Sequence, residues 1–368
     1  MNRKHFFQTV LPLTVAASLY KKTNAAGLFL QPSLTPPSLI VGDTIGITCS
    51  ASPVDLPKLQ AGIKTLKLWG LNVQLGNTVG KHWQRFGGTD EERASDLQAM
   101  LDDDNIKAIL FAKGGYGVMR MIDKIDWTKF LQKPKWLIGF SDITTVHLHV
   151  HANFAVPTIH ADMATGITDD AKDLSATTLH DTLFGNRIDY TIAGHPLNRE
   201  GFASSKLVGG NLSMLQACAA SKSDIKTDGK ILFIEDVSEY KYTIDRMLLN
   251  LKRSGKLDNL AGLMVGMFTA TKTNVEDSFT ETVEELIMEK VQEYKYPVCF
   301  NFPAGHIALN HALKMGVAYD FNVSTQSVTL SEKLLTDAPL IPTAPRLFLQ
   351  EPIITTDTLQ TTGKLYLH

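Results

Sequence analysis

Short apolar runs alternate with amphipathic ones from Leu39 to about residue 162. Thr44-Ile-Gly-Ile-Thr48 reads as a strand and is followed by the turn-rich Ser50-Ala-Ser-Pro53. Leu56 to Trp69 carries apolar residues at helical spacing and stops at Gly70, a residue favoured just past a helix end. Leu71 to Leu75 alternates as a strand does. Thr89 to Asp102 predicts a charged amphipathic helix, with Thr89 and Glu92 at capping-box spacing. Ile106 to Ala112 and Trp136 to Phe140 are nearly continuous apolar strands, the pattern of a sheet covered on both faces. Such alternation predicts an α/β fold, built of parallel βαβ units in a doubly wound sheet.

Between about 163 and 200 the period is lost and turn residues accumulate, so residues 166–200 read as a connection between an N-terminal domain (39–165) and a C-terminal one (201–333). The second half predicts a mixed α/β domain. Asn211 to Ala220 is helical after the Gly209-Gly210 turn, and Lys230 to Phe233 is a strand leading into Glu235. Ile244 to Arg253 is an amphipathic helix closed by Gly255, and Leu260 to Phe268 is an apolar strand. Ser278 to Tyr294 predicts a long helix with Ser278 and Glu281 at capping-box spacing, and Val317 to Leu330 alternates like a hairpin. Residues 334–368, with several prolines and threonines, suggest no role.

The composition is that of an ordinary globular protein: 368 residues, 44% apolar and 20% charged. A net charge of −2 carries no nucleic-acid footprint. Cys49, Cys218 and Cys299 are odd in number and widely spaced, with no CxxC or zinc-type spacing, which predicts buried thiols rather than a disulfide framework. Residues 1–26 differ from the rest. Arg3 and Lys4 precede an apolar stretch from Phe6 to Tyr20, and Asn24-Ala25-Ala26 supplies small residues at a cleavage position. Asn2-Arg-Lys-His-Phe-Phe7 has the form of a weakened twin-arginine signal. The segment predicts export to the periplasm or cell envelope, or a membrane tether if it is not cleaved; its other reading is a frayed N-terminal helix, which would leave the chain cytoplasmic. Residues 27–38 read as a linker, Pro- and Ser-rich from Gln31 to Ser38.

Three peptides far apart carry candidate chemistry: Gly139-Phe-Ser-Asp142, Glu235 in Ile231-Leu-Phe-Ile-Glu-Asp-Val237, and His306 in Phe302-Pro-Ala-Gly-His306. Serine, carboxylate and imidazole in this chain order are the parts of a serine hydrolase, although a triad is defined by geometry. Ser141 follows a strand and precedes the helix-like run Ile143–Val150. A strand-turn-helix exposes a hydroxyl at the carboxyl edge of a sheet and offers the Asp142 amide as an oxyanion donor. No G-x-S-x-G is present, and Ser-Asp alone reads better as a helix N-cap. In Lys113-Gly-Gly-Tyr-Gly117, Gly114 and Gly115 suit a second oxyanion donor and equally a tight turn. Glu235 either caps a strand end or fixes the tautomer of His306. His147, His149, His151 and His160 invite a metal reading, but no H-E-x-x-H or matching Cys/acid set accompanies them, so packing histidines are expected and no metal or cofactor is required.

Together these segments resemble the LD-carboxypeptidase family, serine peptidases that include muramoyl-tetrapeptide carboxypeptidase and the microcin C self-immunity hydrolases. The likeness spans about Pro36 to Leu330. It rests on Gly88-Thr-Asp-Glu-Glu-Arg-Ala94, Ala112-Lys-Gly-Gly-Tyr-Gly117, Pro134-Lys-Trp-Leu-Ile-Gly-Phe-Ser-Asp-Ile-Thr144, Gly209-Gly-Asn-Leu212, Glu235-Asp-Val237 with Ile244-Asp-Arg246, and Phe302-Pro-Ala-Gly-His306. The resemblance implies Ser141 as nucleophile, Glu235 as acid and His306 as base, with oxyanion amides at Asp142 and in the Gly114-Gly115 turn. It implies a flavodoxin-like N-terminal domain, an active site between the two domains, and a homodimer. Lys113 departs from the family's frequent arginine, which keeps the charge and loses the planar fork. The implied activity is release of a terminal D-amino acid, D-alanine from a murein tetrapeptide, through an acyl-enzyme. Two alternatives remain: an immunity-type hydrolase of peptidyl-nucleotide or acyl-sulfamate compounds, and a non-catalytic protein binding a small ligand in its cleft.

Overall fold

The computed structural model describes residues 34–170, 172–272 and 279–333. In the first half the elements are β1 (Thr44–Thr48), α1 (Gln60–Leu68), β2 (Asn72–Leu75), α2 (Asp90–Asp102), β3 (Ile106–Phe111), α3 (Thr128–Gln132), β4 (Trp136–Gly139), α4 (Thr144–Asn153) and β5 (Thr158–His160). Then come α5 (Leu174–Leu183), β6 (Asp189–Ala193), β7 (Gly201–Asn211), α6 (Leu212–Ala217), β8 (Ile231–Val237), α7 (Lys241–Arg253), β9 (Gly262–Thr269), α8 (Val283–Val291) and β10 (Val298–Cys299). The last are β11 (Leu313–Met315), β12 (Ala318–Val323) and β13 (Ser327–Glu332).

The strands form two sheets. The first runs β2-β1-β3-β4-β5-β11, and its first five strands are parallel. That is the flavodoxin-like order anticipated above. The second runs β10-β9-β8-β7-β12-β13-β6, parallel from β10 to β7 and antiparallel beyond. The apolar runs end where a doubly covered sheet needs them: β4 is buried at every position, and β3 at all but Lys107. Helices α1 and α5 pack on one face of the first sheet with Leu66, Leu179 and Leu183, and α2, α3 and α4 pack on the other with Leu97, Phe130 and Val146. Helices α6, α7 and α8 cover the second sheet through Leu215, Leu248 and Ile287. Each such side chain, removed from water, contributes about 1.5–3 kcal/mol.

The capping box at Thr89 and Glu92 forms, with Thr89 Oγ1 accepting from the Glu92 amide at 3.2 Å and Glu92 Oε2 from the Thr89 amide at 2.9 Å. Arg93, one turn into the same helix, is fully buried and donates to the carbonyls of Ser50 (2.6 Å), Gly88 (3.2 Å) and Gly117 (2.9 Å). One guanidinium thus ties together three loops at the carboxyl edge of the first sheet.

The structure differs from the sequence reading in four places. The stretch read as a connection contains α5 and β6. The α5 apolar positions Ala176, Leu179 and Leu183 are spaced for one buried stripe, but the Thr and Ser residues between them dilute the periodic signal. Strand β11, from the second half, pairs antiparallel with β5 and so belongs to the first sheet. The helix expected from Ser278 begins at Val283, with Thr282 and Glu285 as its capping box, and Ser278 itself lies outside the described residues. Glu235 stands inside β8 rather than after it. The three cysteines are buried and unpaired, as expected. The segment read as an export signal and the 334–368 tail lie outside the described residues, and among those residues no helix is long and apolar enough to cross a membrane.

Candidate active site

The two sheets meet at the carboxyl ends of their parallel strands, where Asn211 at the end of β7 reaches Thr144 just past β4. Strand β4 delivers Ser141 through Phe140, and the chain turns sharply into a 3-10 turn and then α4. Ser141 has φ +63°, a left-handed conformation that costs a non-glycine residue roughly 1–3 kcal/mol and recurs where a side chain must be aimed. Two contacts brace the turn. His147, fully buried one turn into α4, hydrogen-bonds the Gly139 carbonyl at 2.8 Å through Nε2. Burial pulls its pKa down to about 4, so the ring is neutral and Nε2 is the protonated donor. Asp142 is also buried; its Oδ2 accepts from the Val118 amide at 3.0 Å, and burial raises its pKa. The Asp142 side chain therefore clamps the Ser141 turn to the glycine-rich loop, while its own amide lies in a first helical turn, where N–H groups lack intrahelical partners.

The glycine-rich loop approaches Ser141 directly. A Cβ on Gly114 would stand 3.0 Å from Ser141 Cβ and 3.2 Å from Ser141 Oγ, a space only a glycine leaves open. Gly115 turns away toward Ser52, whose amide donates to the Gly114 carbonyl at 3.3 Å. Asp142 and Gly114 are thus brought together with Ser141, and Gly115, at φ +117°, turns the loop beside them.

Glu235 and His306 form the second half of the site. Glu235 is 0% exposed, and its Oε2 accepts from His306 Nδ1 at 2.8 Å. Its other oxygen accepts from Asn211 Nδ2 at 3.2 Å. Burial raises the Glu235 pKa, the His306 contact and Asn211 oppose that, and neighbouring Asp236 adds to it. His306 can come this close because of Gly305, which has φ +120° and whose added Cβ would fall 2.8 Å from Glu235 Oε2. With Nδ1 held by the carboxylate, Nε2 is the free ring nitrogen of His306, whose side chain keeps 20% of its exposure.

The two halves touch at this point. The Phe140 ring, adjacent to Ser141, lies 4.8 Å from the His306 ring, centroid to centroid. Asn211 donates its amide to Thr144 Oγ1 at the start of α4 (3.1 Å) and caps α6 through Oδ1 (3.2 Å to the Met214 amide). Among the described residues no hydrogen bond joins Ser141 Oγ to His306, so the carboxylate–imidazole couple is formed and the hydroxyl–imidazole contact is open.

Sequence reasoning missed Asn211, which reaches both Glu235 and Asp236; its signal was an N-cap residue after two glycines. It also missed Asn310, in the loop that carries His306, and Asp162, which accepts from Asn310 Nδ2 at 2.9 Å. Burial raises the Asp162 pKa to about 6. The four clustered histidines are packing residues: His149 meets Ser223 Oγ (3.0 Å), His151 meets Thr158 Oγ1 (3.1 Å), and His160 sits between the Phe140 and Phe233 rings. A cavity of about 590 Å³ between α6 and α7, lined by Ser213, Glu239, Arg246 and Arg253, includes none of Ser141, Glu235 and His306 in its wall.

Two domain models of one family match the chain, the LD-carboxypeptidase N-terminal domain at residues 45–161 and the LD-carboxypeptidase C-terminal domain at residues 204–321. A "Probable murein peptide carboxypeptidase" of Bacillus subtilis is 35% identical over 300 residues, covering 80% of this chain and 93% of that one. The "Murein tetrapeptide carboxypeptidase" of Pseudomonas aeruginosa is 28% identical over 287 residues, covering 74% and 91%. Among solved structures, the muramoyltetrapeptide carboxypeptidase of Oxalobacter formigenes superposes with a TM-score of 0.72 at 24% identity, covering 78% of this chain and 98% of that one. MccF in complex with glutamyl sulfamoyl guanosine superposes with a TM-score of 0.73 at 20% identity, covering 82% and 100%. At these identities the two structures speak for the fold.

Proposed function

Since the chain belongs to the LD-carboxypeptidase family, we propose that it is a serine carboxypeptidase with Ser141 as nucleophile, His306 as base and Glu235 as the orienting acid, and that it releases the terminal D-amino acid from murein tetrapeptides. The observation that carries this reading is the His306 Nδ1–Glu235 Oε2 bond of 2.8 Å, with the ring of Phe140, the residue before Ser141, 4.8 Å from the imidazole.

In the reaction His306 Nε2 takes the Ser141 proton as Oγ attacks the scissile carbonyl. Glu235 holds the proton on Nδ1 and stabilises the imidazolium that forms. The Asp142 amide and the Gly114 turn flank Ser141 and supply oxyanion donors. The imidazolium then protonates the leaving D-alanine amine, and water, activated by the same imidazole, hydrolyses the ester. The attack requires Ser141 Oγ to reach His306, by rotation of the hydroxyl or by closing of the cleft on substrate; catalytic contacts commonly tighten only in the substrate complex.

The relatives' names support the murein substrate. An exported enzyme acting on wall peptides is the matching location, on the strength of residues 1–26 alone. The immunity-type alternative rests on a fold likeness at 20% identity. Incubating the protein with murein tri-, tetra- and pentapeptides and weighing the products tests the proposal. D-alanine released from the tetrapeptide supports it; inertness toward all three, with turnover of an acyl-sulfamate, replaces it with the alternative.

A further inference from the structure

The loop that carries His306 runs from β10 to β11, from the second sheet to the first. One side chain ties its middle to the first half of the molecule. Asn310 is 0% exposed, and its Oδ1 accepts from the Gly305 amide at 2.9 Å, next to His306. Its Nδ2 donates to Asp162 Oδ1 at 2.9 Å, two residues past the end of β5 in the first sheet. Its own amide donates to Ser175 Oγ in α5 at 2.9 Å, and that hydroxyl donates to the Ala308 carbonyl at 3.0 Å. The orientation of the amide is fixed by chemistry, because the Gly305 N–H can only donate and must face the oxygen. Three residues later β11 pairs with β5, with Leu313 opposite His160, so the anchor is rigid.

We propose that Asn310 is a positioning residue for the hydrolysis: it latches the Gly305-His306 turn, contributed by one half of the molecule, to Asp162 and Ser175 on the side that carries the nucleophile. This rests on the reading of His306 as the base. Glu235 sets the direction of the imidazole from behind, and Asn310 sets how far the loop stands from Ser141. The latch touches no reacting atom. Its loss misplaces the base, and a misplacement of about 1 Å costs on the order of a hundredfold in rate.

The test compares Asn310→Leu, which keeps the branching at Cγ and removes both side-chain hydrogen bonds, with the double variant Asn310→Asp/Asp162→Asn, which exchanges donor and acceptor. In the double variant the introduced carboxylate still accepts from the Gly305 amide, and the introduced amide at 162 now donates. Turnover of murein tetrapeptide is measured per folded molecule, below each variant's melting temperature, alongside nitrogen-15 histidine spectra. Asn310→Leu is expected to lower kcat roughly tenfold to a hundredfold with KM within about threefold of the parent, and to shift the His306 ring resonances. The double variant is expected to recover kcat to within about tenfold of the parent. If Asn310→Leu lowers only the melting temperature and leaves kcat and the His306 spectrum unchanged, or if the double variant fails to recover although folded, the positioning role is overturned. His306→Ala separates the two ideas. Full turnover by that variant removes the base itself, whereas its inactivity beside a fully active Asn310→Leu removes only the latch.

Discussion

Replacing Glu235 by Gln changes one heavy atom of a buried side chain and is expected to move activity and stability in opposite directions. One carboxylate oxygen faces Asn211 Nδ2 at 3.2 Å, a group that can only donate, so the Gln carbonyl must take that place. The new NH2 then faces His306 Nδ1, now 2.8 Å from an oxygen. A donor there forces the imidazole proton onto Nε2, which can no longer accept from Ser141. The wrong tautomer in a triad costs about 10⁴ in kcat, about 5 kcal/mol of transition-state stabilisation. Stability responds the other way. Glu235 is fully buried and burial raises its pKa, so at neutral pH its ionised form costs the fold something that a neutral amide does not. Tetrapeptide turnover and thermal melting of Glu235→Gln at pH 7 are therefore expected to show near-complete loss of kcat with a melting temperature equal to or above the parent's. A variant with kcat within tenfold of the parent refutes the role of the couple. So does one in which activity falls only in step with the folded fraction.

The remaining predictions concern the supports of the site. Gly114→Ala has no positive-φ strain to fear, but its methyl would stand 3.0 Å from Ser141 Cβ; a stability cost of about 1–3 kcal/mol and a kcat loss of roughly a hundredfold are expected, and an unchanged kcat would show that Gly114 does not bear on the nucleophile. Burial depresses the folded-state pKa of His147 to about 4 from an ordinary 6.5, so its neutral ring contributes stability above about pH 6.5 that is lost as pH falls toward 4. Urea unfolding of the parent against His147→Gln is expected to show the parent losing about 2 kcal/mol relative to the variant between pH 7 and pH 5, and a constant difference contradicts it. Arg93→Met strands the carbonyls of Ser50, Gly88 and Gly117 and is expected to cost about 3–5 kcal/mol in denaturant unfolding; a cost below about 1 kcal/mol would mean that those loops hold themselves.

What the sequence discloses follows the physical origin of each signal. Strands covered on both faces, such as β3 and β4, leave continuous apolar runs, and their alternation with helices predicts a parallel sheet; its flavodoxin-like order was implied by the family resemblance alone. Ser141, Glu235 and His306 were picked out because reactive side chains stood in or just after apolar runs, in peptides that resemble one family. The left-handed backbone at Ser141 was not, because nothing in Phe-Ser-Asp distinguishes a strained turn from an N-cap. Helix α5 escaped because its stripe of Ala176, Leu179 and Leu183 is interleaved with Ser and Thr. The supports of the site were least readable. Asn211, Asn310 and Asp162 act through contacts 24, 148 and 148 positions apart in the chain, to Glu235 and between Asn310 and Asp162. Their partners are chosen by the fold and leave no local pattern. Strand β11 was hidden for a similar reason: three residues of a loop become a strand only when β5 offers its edge.

The claim on which the rest depends is that Ser141 is acylated during turnover, and it can be read directly. Protein mixed with murein tetrapeptide and quenched in acid within the first turnovers is digested, and the peptide containing Ser141 is weighed. The account predicts a mass increase equal to the tripeptide acyl group on that peptide, with D-alanine released in the same samples and neither signal from Ser141→Ala. Release of D-alanine by Ser141→Ala at the parent's rate would contradict it.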